Sequence, residues 1–226
     1  MMIDLGHPLH TDVARAPTVA APTIDIVKHE LACPPGPLGQ PVVSVTRAGL
    51  PVHFGTHVDA QNHLFADGKP MEAYELDRFI GPATFVDLSH IDDREVTAAD
   101  LEESTLAHTG EGIVFLVFGR AGLFATDPVA YLEQPWISTG AAQWLIDRGT
   151  TMVGMDLLTP DLPAAMRPEG FDFPVHRLLL EHDVLIVENV AAGAQQCVGR
   201  SAEVTCAPIT LRGADGGHVR PVARLI

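Results

Sequence analysis

The sequence predicts a mixed α/β fold built as one domain, and three observations support this prediction. The chain has 226 residues, which suits a single domain of ordinary to large size. Hydrophobic residues make up 46% of it, enough to fill an interior core. Short apolar runs typical of strands alternate with segments that carry helix caps, and no repeat or internal linker separates them. We therefore interpret residues 1–226 as one domain, in which 1–41 form an N-terminal arm.

The predicted strands begin in that arm. Residues 1–41 are rich in Pro and Ala, which favours an extended conformation with one short strand at 25–28. Further strands are predicted where apolar residues cluster or alternate; these segments are 42–47, 83–88, 112–118, 151–156, 184–190, 203–210 and 218–225. Residues 213–217 contain three glycines and are expected to join the last two strands.

Three helices are predicted, mainly from their capping residues. They span residues 97–104, 138–148 and 175–182. Thr97 and Asp100 have the spacing of a capping box, in which each side chain accepts a hydrogen bond from the other residue's backbone. Ser138 is suited to cap the start of the second helix, and Gly149 is suited to follow its end.

Charge and hydropathy exclude two classes of partner. The chain has 29 acidic and 14 basic residues and a formal net charge of −15, whereas nucleic-acid binding needs a surplus of Lys and Arg. No apolar run approaches the roughly 20 residues that cross a bilayer, and the first residues do not resemble a secretory signal. Cys33, Cys197 and Cys206 form no C-x-x-C pair. We expect a cytoplasmic protein that acts on a small molecule.

The strongest functional signal is the segment from His53 to His63, which reads H-F-G-T-H-V-D-A-Q-N-H. Three His and one Asp offer imidazole and carboxylate groups, the ligand types that hold Zn²⁺ or Mn²⁺. These residues all have odd numbers, so in an extended chain they would project from one face. The alternative is a solvated loop that happens to be rich in His. The spacing favours a metal site over that alternative.

A straight strand cannot bring these side chains to one ion. At about 3.3 Å per residue, His53 and Asp59 would lie roughly 20 Å apart, whereas metal–ligand bonds are about 2.0 to 2.3 Å long. A helix would bring His53 and His57 together but would turn Asp59 away, and the residues between them are poor helix formers. We therefore expect the chain to bend at Gly55, from a strand into a loop.

Two further metal-ligand candidates lie more than one hundred residues downstream. Glu188 lies in the apolar segment V-L-I-V-E-N-V, where a carboxylate is costly to bury unless it is paired or binds a metal. His176 lies near the start of the helix that precedes this strand. An ion pair between Glu188 and an Arg, and a capping or surface role for His176, remain open as alternatives.

Other motifs give weaker signals. Asp87 and Asp156 lie in predicted strands and could orient a ligand His by accepting a hydrogen bond, although strand-end acids more often cap the strand or pair with Arg. The sequence contains no G-x-S-x-G nucleophile elbow and no G-x-G-x-x-G. The G-R-A-G segment at Gly119 could cradle an anion, but we interpret it as a turn.

The histidine-rich segment resembles the signature H-x-G-T-H-x-D-x-x-x-H of the cyclase-like metal-dependent hydrolases, a family that includes bacterial kynurenine formamidase and isatin hydrolase. The segments W-I-S-T-G-A-A-Q-W-L-I-D-R-G, M-V-G-M-D-L-L-T-P-D and P-V-H-R-L-L-L-E-H-D-V-L-I-V-E-N-V are similar to the family as well. The likeness therefore covers most of the chain from about residue 40 onward.

This resemblance implies a swivelling β/β/α fold with a mixed sheet, a homodimer or homotetramer, and a centre for one or two divalent ions. It implies that His53, His57 and Asp59 bind the first ion. Asp59, His176 and Glu188 would bind the second, and Glu188 would also be shared with the first ion. The twelve-residue separation of His176 and Glu188 matches the family pattern. His63 would be the proton donor and acceptor.

Two departures from the family bear on the substrate. The motif usually has Pro where this chain has Gln61. Kynurenine formamidase packs an aromatic side chain of its N-terminal arm on the substrate, whereas Phe54 is the first aromatic residue here. The resemblance thus implies hydrolysis of an amide C–N bond in a formamide or a cyclic amide or imide, with a different substrate. Lactone hydrolysis, a cyclase or dehydratase step, and a non-catalytic metal-binding role remain alternatives.

Overall fold

A mixed nine-stranded sheet is the main feature of the computed structural model, which describes residues 1–104 and 111–226. The strands of the described chain are β1 (Met2–Asp4), β2 (Thr23–Glu30), β3 (Val42–Gly49), β4 (His57–Asp59), β5 (Ile80–Asp87), β6 (Glu95–Val96), β7 (Gly112–Val117), β8 (Trp136–Ile137), β9 (Thr150–Met155), β10 (Leu185–Glu188), β11 (Ala202–Thr205), β12 (Gly216–His218) and β13 (Val222–Leu225). The helices are α1 (Ala98–Glu103), α2 (Leu123–Thr126), α3 (Pro128–Leu132), α4 (Thr139–Asp147) and α5 (Pro174–Glu181).

The main sheet has the order β1-β13-β11-β5-β7-β9-β10-β4-β12. Its centre, β5-β7-β9-β10, is parallel, and the remaining neighbours are antiparallel. Side chains alternate across it: Phe115 of β7 belongs to the core on one face, while Val114 and Leu116 pack on the other face with residues of α4 and α5, such as Leu145 and Leu179. The two cores explain why the central strands are apolar throughout.

This architecture confirms the predicted α/β fold of the β/β/α type. Three predicted caps are present as well. Thr97 and Asp100 form a capping box at α1, and the Ser138 hydroxyl accepts a hydrogen bond from the backbone N–H of Ala141 at 3.0 Å. Gly149 follows α4 with φ of +78°, a left-handed conformation that glycine adopts without strain.

Several predicted boundaries were wrong. The strand predicted at 203–210 ends at Thr205, because residues 206–210 leave the sheet. The strand predicted at 218–225 is two strands, β12 and β13, separated by a segment that contains Pro221, which has no N–H for a sheet. The strand predicted at 184–190 covers only Leu185–Glu188, which form β10.

The N-terminal region contains more regular structure than was predicted. The short strand predicted at 25–28 extends over Thr23–Glu30 and pairs along its whole length with Val42–Gly49. The predicted end of the arm at residue 41 therefore falls within the connection of this hairpin. Strand β1 pairs with β13 at the edge of the main sheet, and the short elements β6, β8, α2 and α3 also went unpredicted. In the described part of the chain, no helix has the length and apolar character that a bilayer crossing needs.

An ion-pair cluster joins the turn after α5 to the segment before β5. Asp183 accepts hydrogen bonds from Lys69 Nζ at 2.9 Å and Arg78 Nη1 at 2.7 Å. Burial raises the pKa of the Asp183 carboxyl, but the two cations outweigh this effect and hold its pKa below the usual value. The residue has φ of +59°, a conformation that Asn also tolerates.

We expect Asp183→Asn to lower the free energy of unfolding by about 1 kcal/mol at pH 7, because the pair is partly exposed. A carboxyl with a lowered folded-state pKa stabilises the fold above its unfolded pKa, and this contribution is lost as the pH falls through the folded pKa. The difference between wild type and variant should therefore shrink as the pH falls below about 4. Urea unfolding at several pH values measures this difference in the free energy of unfolding. The exposed Asp77→Asn is the control, and an equal loss at all pH values would contradict the prediction.

Candidate metal centre

The histidine-rich segment bends at Gly55 as predicted, but the predicted order of strand and loop was wrong, because a loop precedes the bend and strand β4 follows it. Gly55 has φ of +66°, and a side chain at this position would collide with Leu9. After the bend, β4 carries His57 and Asp59 into the interior, and a short 3₁₀ turn at residues 61–63 ends the segment. His53 Nδ1 consequently lies 2.8 Å from Asp59 Oδ1, far closer than in an extended chain.

Strand pairing brings Glu188 to the same place. In the antiparallel pair β4–β10, Glu188 lies directly opposite His57, so both side chains project from one face of the sheet. His57 Nε2 lies 3.4 Å from Glu188 Oε2 and 3.2 Å from Asp59 Oδ1. His57 Nδ1 faces the backbone oxygen of Gly55 at 2.8 Å, which turns Nε2 toward the two carboxylates.

Helix α5 supplies His176. Pro174 occupies the first turn, where its missing N–H is not needed, and His176 Nε2 lies 3.2 Å from Glu188 Oε1 and 3.6 Å from Asp59 Oδ2. Asp161, in the loop after β9, accepts hydrogen bonds from the backbone N–H groups of Val175 and His176 and faces His176 Nδ1 at 2.6 Å. Asp161 thus gives the first backbone N–H groups of α5 a hydrogen-bond acceptor and fixes the direction of the His176 ring.

His63 closes the cluster on its more exposed side. Its ring centre lies 4.0 Å from that of His53 and 5.8 Å from that of His176. Asp215, in the loop before β12, lies 2.9 Å from His53 Nε2 and 3.5 Å from His63 Nδ1. All six residues that the sequence singled out therefore converge: His53, His57, Asp59, His63, His176 and Glu188.

The sequence did not identify Asp161 and Asp215 as the acids that contact the histidines. Within the described residues, neither Asp87 nor Asp156 has a hydrogen bond to a histidine ring, so the orienting role considered for them was wrong. Asp156 instead accepts the backbone N–H groups of Phe118, Arg120 and Ala121, at 2.7, 2.8 and 3.2 Å. The G-R-A-G segment at Gly119 is thus a turn whose amides surround a carboxylate of the protein itself.

The electrostatics of the cluster are those of closely spaced opposite charges. Burial lowers the pKa of His53, but the hydrogen bonds and charges of Asp59 and Asp215 outweigh it and raise the pKa to about 9. Burial also lowers the pKa of His176, but the hydrogen bonds of Asp161, Asp59 and Glu188 outweigh it and hold that pKa well above its usual value. Burial raises the pKa of the Asp59 carboxyl, but the neighbouring histidines outweigh it and hold that pKa well below its usual value. His63 differs: burial lowers its pKa, and the nearby rings of His53 and His176 lower it further, although Asp59 opposes them.

The donor set fits a divalent cation. Three buried polar atoms in the cluster form no hydrogen bond in the described chain despite their close contacts, namely His57 Nε2, Asp59 Oδ2 and Glu188 Oε1. Buried polar atoms without partners are costly, and here they belong to imidazole and carboxylate groups, which ligate divalent metals. Ligand atoms of His53, His57 and Asp59, and those of Asp59, His63 and His176, lie within 4.8 Å of one another.

A cavity of about 710 Å³ opens onto this cluster. Residues 16–19 of the N-terminal region and the loop that follows β9 form much of its wall. The wall is largely apolar, and its members include Val19, Val129, Leu132, Leu158, Pro163 and Phe173. A volume of this size is typical of a site for a small molecule. No aromatic residue of the N-terminal region contributes to it, as expected from the sequence.

The fold and the site define a class of protein: a β/β/α protein with a buried centre of His and carboxylate groups that suits a divalent metal, next to a cavity for a small molecule. The family model described as "Putative cyclase" matches residues 3–162. The chain belongs to this family.

Individual relatives are similar over nearly their whole length. The chain is 27% identical to kynurenine formamidase of Bacillus mycoides, covering 99% of this chain and 97% of that protein. It is 26% identical to kynurenine formamidase of Bacillus cytotoxicus, covering 98% of this chain and 96% of that protein. Among solved structures, isatin hydrolase A from Ralstonia solanacearum has a TM-score of 0.79 at 18% identity, covering 99% of this chain and 91% of that one. At that identity, the last comparison shows the fold alone.

Proposed function

We propose that this protein is a metal-dependent hydrolase that cleaves an amide C–N bond of a small molecule, either a formamide or a cyclic amide or imide. The observation that carries the proposal is the cluster of buried imidazole and carboxylate groups, three of whose ligand atoms lack a hydrogen bond within the described chain. The similarity to kynurenine formamidases supports amide hydrolysis in particular. The cavity beside the cluster supports a small-molecule substrate.

The six residues divide into ligands and a proton carrier. His53, His57 and Asp59 would hold one ion, and Asp59, His176 and Glu188 would hold a second, with Glu188 also shared with the first. Zn²⁺ and Mn²⁺ both suit this set of His and carboxylate groups. Such an ion, when bound, polarises a carbonyl oxygen and lowers the pKa of a water molecule to about 7.

His63 is proposed to carry the proton. Its ring lies beside the cluster and is less buried than those of His57 and His176, so it can reach the substrate in the cavity. Because its pKa is lowered, His63 is neutral at pH 7 and can accept a proton and then deliver it to the departing nitrogen. Asp215, facing Nδ1 at 3.5 Å, would orient the ring.

Gln61, which replaces the usual Pro of the motif, supports this arrangement structurally. Its side-chain amide donates to the backbone oxygen of Leu180 at 3.1 Å and accepts from the backbone N–H of Lys69 at 3.1 Å. The first of these bonds connects the histidine-rich segment to the end of α5, which carries His176, and the second connects it to the segment before β5. The substitution is therefore compatible with an intact centre.

Metal analysis followed by a substrate screen tests the proposal. Purified protein should contain Zn²⁺ or Mn²⁺ and should hydrolyse at least one aryl formamide or cyclic imide in a panel that also includes lactones. A chelator should remove the activity, and adding back Zn²⁺ or Mn²⁺ should restore it. Mg²⁺ serves as the control ion, because it prefers oxygen ligands. Turnover of lactones alone, or amide hydrolysis that survives complete metal removal, would contradict the proposal.

We also propose that the protein is cytoplasmic and acts as a homodimer or homotetramer. The three unpaired cysteines, Cys33, Cys197 and Cys206, support a reducing compartment. The hairpin β2–β3 supports self-association. One of its faces carries Val27, Val43 and Val45, which are 37%, 46% and 44% exposed. An isolated two-stranded hairpin is only marginally stable, and the same apolar face on a second copy would form a two-fold symmetric contact.

Val45→Glu is expected to shift the protein toward a smaller assembly, because it places a charge in the centre of this valine face. Thr46→Glu tests the opposite face, to which the next residue of β3 points and where its pairing partner Ile26 is 62% exposed. A loss of mass with Thr46→Glu alone would assign the contact to that face and refute the role of the valines. Light scattering during size-exclusion chromatography measures the mass of each. If both variants keep the mass of the wild type, the hairpin face does not mediate assembly.

A further inference from the structure

The cavity next to the metal centre contains one basic side chain outside the histidines. Among the lining residues in the described part of the chain, Arg167 is the only Lys or Arg. The residue lies in the loop between β9 and α5 and is half-buried. In a protein with a net charge of −15, a lone guanidinium facing a mainly apolar cavity needs a physical reason.

The guanidinium is held in place from one side. Arg167 Nε donates to the backbone oxygen of Leu162 at 2.7 Å. The guanidinium carbon lies 4.6 Å from the ring centre of Phe173 and 5.1 Å from that of Phe171, distances typical of cation–π contacts. A planar cation fixed on two aromatic rings loses less freedom when it binds a ligand than a free side chain would.

The other side of the guanidinium has no partner. Neither terminal nitrogen of Arg167 has a hydrogen bond or ion pair within the described chain, and the two acids whose charges act on it, Asp161 and Glu188, are engaged elsewhere. Asp161 is bonded to His176, and Glu188 faces His57 and His176. Burial lowers the pKa of Arg167, while the charges of Asp161 and Glu188 raise it. The group is therefore cationic at neutral pH and has donors left for a ligand.

The distance to the metal centre suits one small molecule. The ring of Phe173, on which Arg167 lies, is 6.0 Å from the ring of His176. A ligand that placed its reacting carbonyl at the histidines could reach Arg167 across roughly one aromatic ring. The apolar lining of the cavity, which includes Leu158 and Val129, would cover such a ring.

We propose that Arg167 binds a carboxylate of the substrate at the end of the cavity away from the scissile bond. The substrate is then an amide whose apolar or aromatic body carries an acidic group. The planar guanidinium fits a carboxylate through two parallel hydrogen bonds. This inference rests on the proposed hydrolase function for the identity of the reacting bond, but the binding of the carboxylate does not depend on turnover.

Two probes of equal size test it: 4-formamidobenzoate, which carries the carboxylate, and 4-formamidobenzamide, which does not. Arg167→Gln should lower kcat/KM for the carboxylate probe by about ten- to a hundredfold, mainly through KM, because a charge-assisted hydrogen bond is lost. The neutral probe should change by less than about threefold. Arg167→Lys should recover part of the loss. Arg177→Gln, in an exposed ion pair with Asp172, is the control. Equal losses for both probes would overturn the proposal.

A binding measurement separates this inference from the proposed function. Calorimetry with benzoate and benzamide on metal-free protein should show tighter binding of benzoate, and Arg167→Gln should remove that preference. If no formamide or cyclic imide of the panel is hydrolysed while benzoate still binds through Arg167, the hydrolase proposal fails and the carboxylate site stands. If benzoate binds no better than benzamide, or equally well to Arg167→Gln, the carboxylate site is refuted whatever the turnover.

Discussion

Replacing Asp59 by Asn is expected to remove bound metal and to lower turnover by at least about a thousandfold. Asp59 is one of the two residues, with Glu188, that both proposed ion sites share, and its oxygens lie 2.8 Å from His53, 3.2 Å from His57 and 3.6 Å from His176. Asn keeps the shape of Asp59 but loses the negative charge, so the imidazoles lose the anion that offsets the charge of an ion. Elemental analysis and steady-state kinetics measure the two effects.

Asp87→Asn is the matched control, because Asp87 is an exposed acid at the end of β5 that accepts a hydrogen bond from the backbone of Ser89. It should keep both the metal and the activity. Circular dichroism should show that Asp59→Asn retains its fold, since the change conserves volume. An Asp59→Asn enzyme with full metal content and full turnover would refute the shared-ligand role.

His63→Ala is expected to keep the metal and to lose turnover by about a hundred- to ten-thousandfold, the usual contribution of a positioned proton carrier. Five other residues remain to hold the ions: His53, His57, Asp59, His176 and Glu188. The lowered pKa of His63 also fixes the sign of the pH dependence. A base with this pKa is neutral at pH 7, so the acid limb of the wild-type profile for kcat/KM should lie below pH 6.5 and should be absent in the variant.

His182→Gln serves as the control for His63→Ala, because His182 is an exposed histidine at the end of α5. It should leave metal content and kinetics unchanged. If His63→Ala instead loses its metal, His63 is a ligand, which the closeness of its ring nitrogens to Asp59 and His176 would allow. Metal content therefore decides between the two roles.

The six principal residues of the site could be predicted from the sequence because they share a local pattern and a spacing. His53, His57, Asp59 and His63 lie in eleven residues, and the bend at Gly55 follows from the short reach of a metal bond. The acids that orient the rings could not be found in this way. Asp161 contacts a histidine 15 residues away and Asp215 one that is 162 residues away. Both lie in loops, where no periodicity marks the direction of a side chain.

The prediction of the fold also succeeded where the sequence signal was local and failed where it depended on distant residues. Elements with a strong local signal were predicted closely, such as the capped helices α1 and α4 and the apolar strand β7. Edge elements were missed or given the wrong length, because their pairing depends on distant residues: β1 is a strand only through β13. A signal for Asp161 was present, since an acid after a strand and before a helix with a metal-ligating His can satisfy both the helix start and the ring.

The shortness of β4 has a consequence for what fixes its alignment in the sheet. Its three residues are all buried between β10 and β12, so the burial of its side chains fixes the register more than its few backbone hydrogen bonds do. A slip by one residue would turn His57 and Asp59 to the opposite face, away from Glu188. An ion that needs all three groups would bind the correct alignment alone and would stabilise it by mass action. A bound ion would thereby raise the free energy of unfolding of a fold whose register the buried side chains already set.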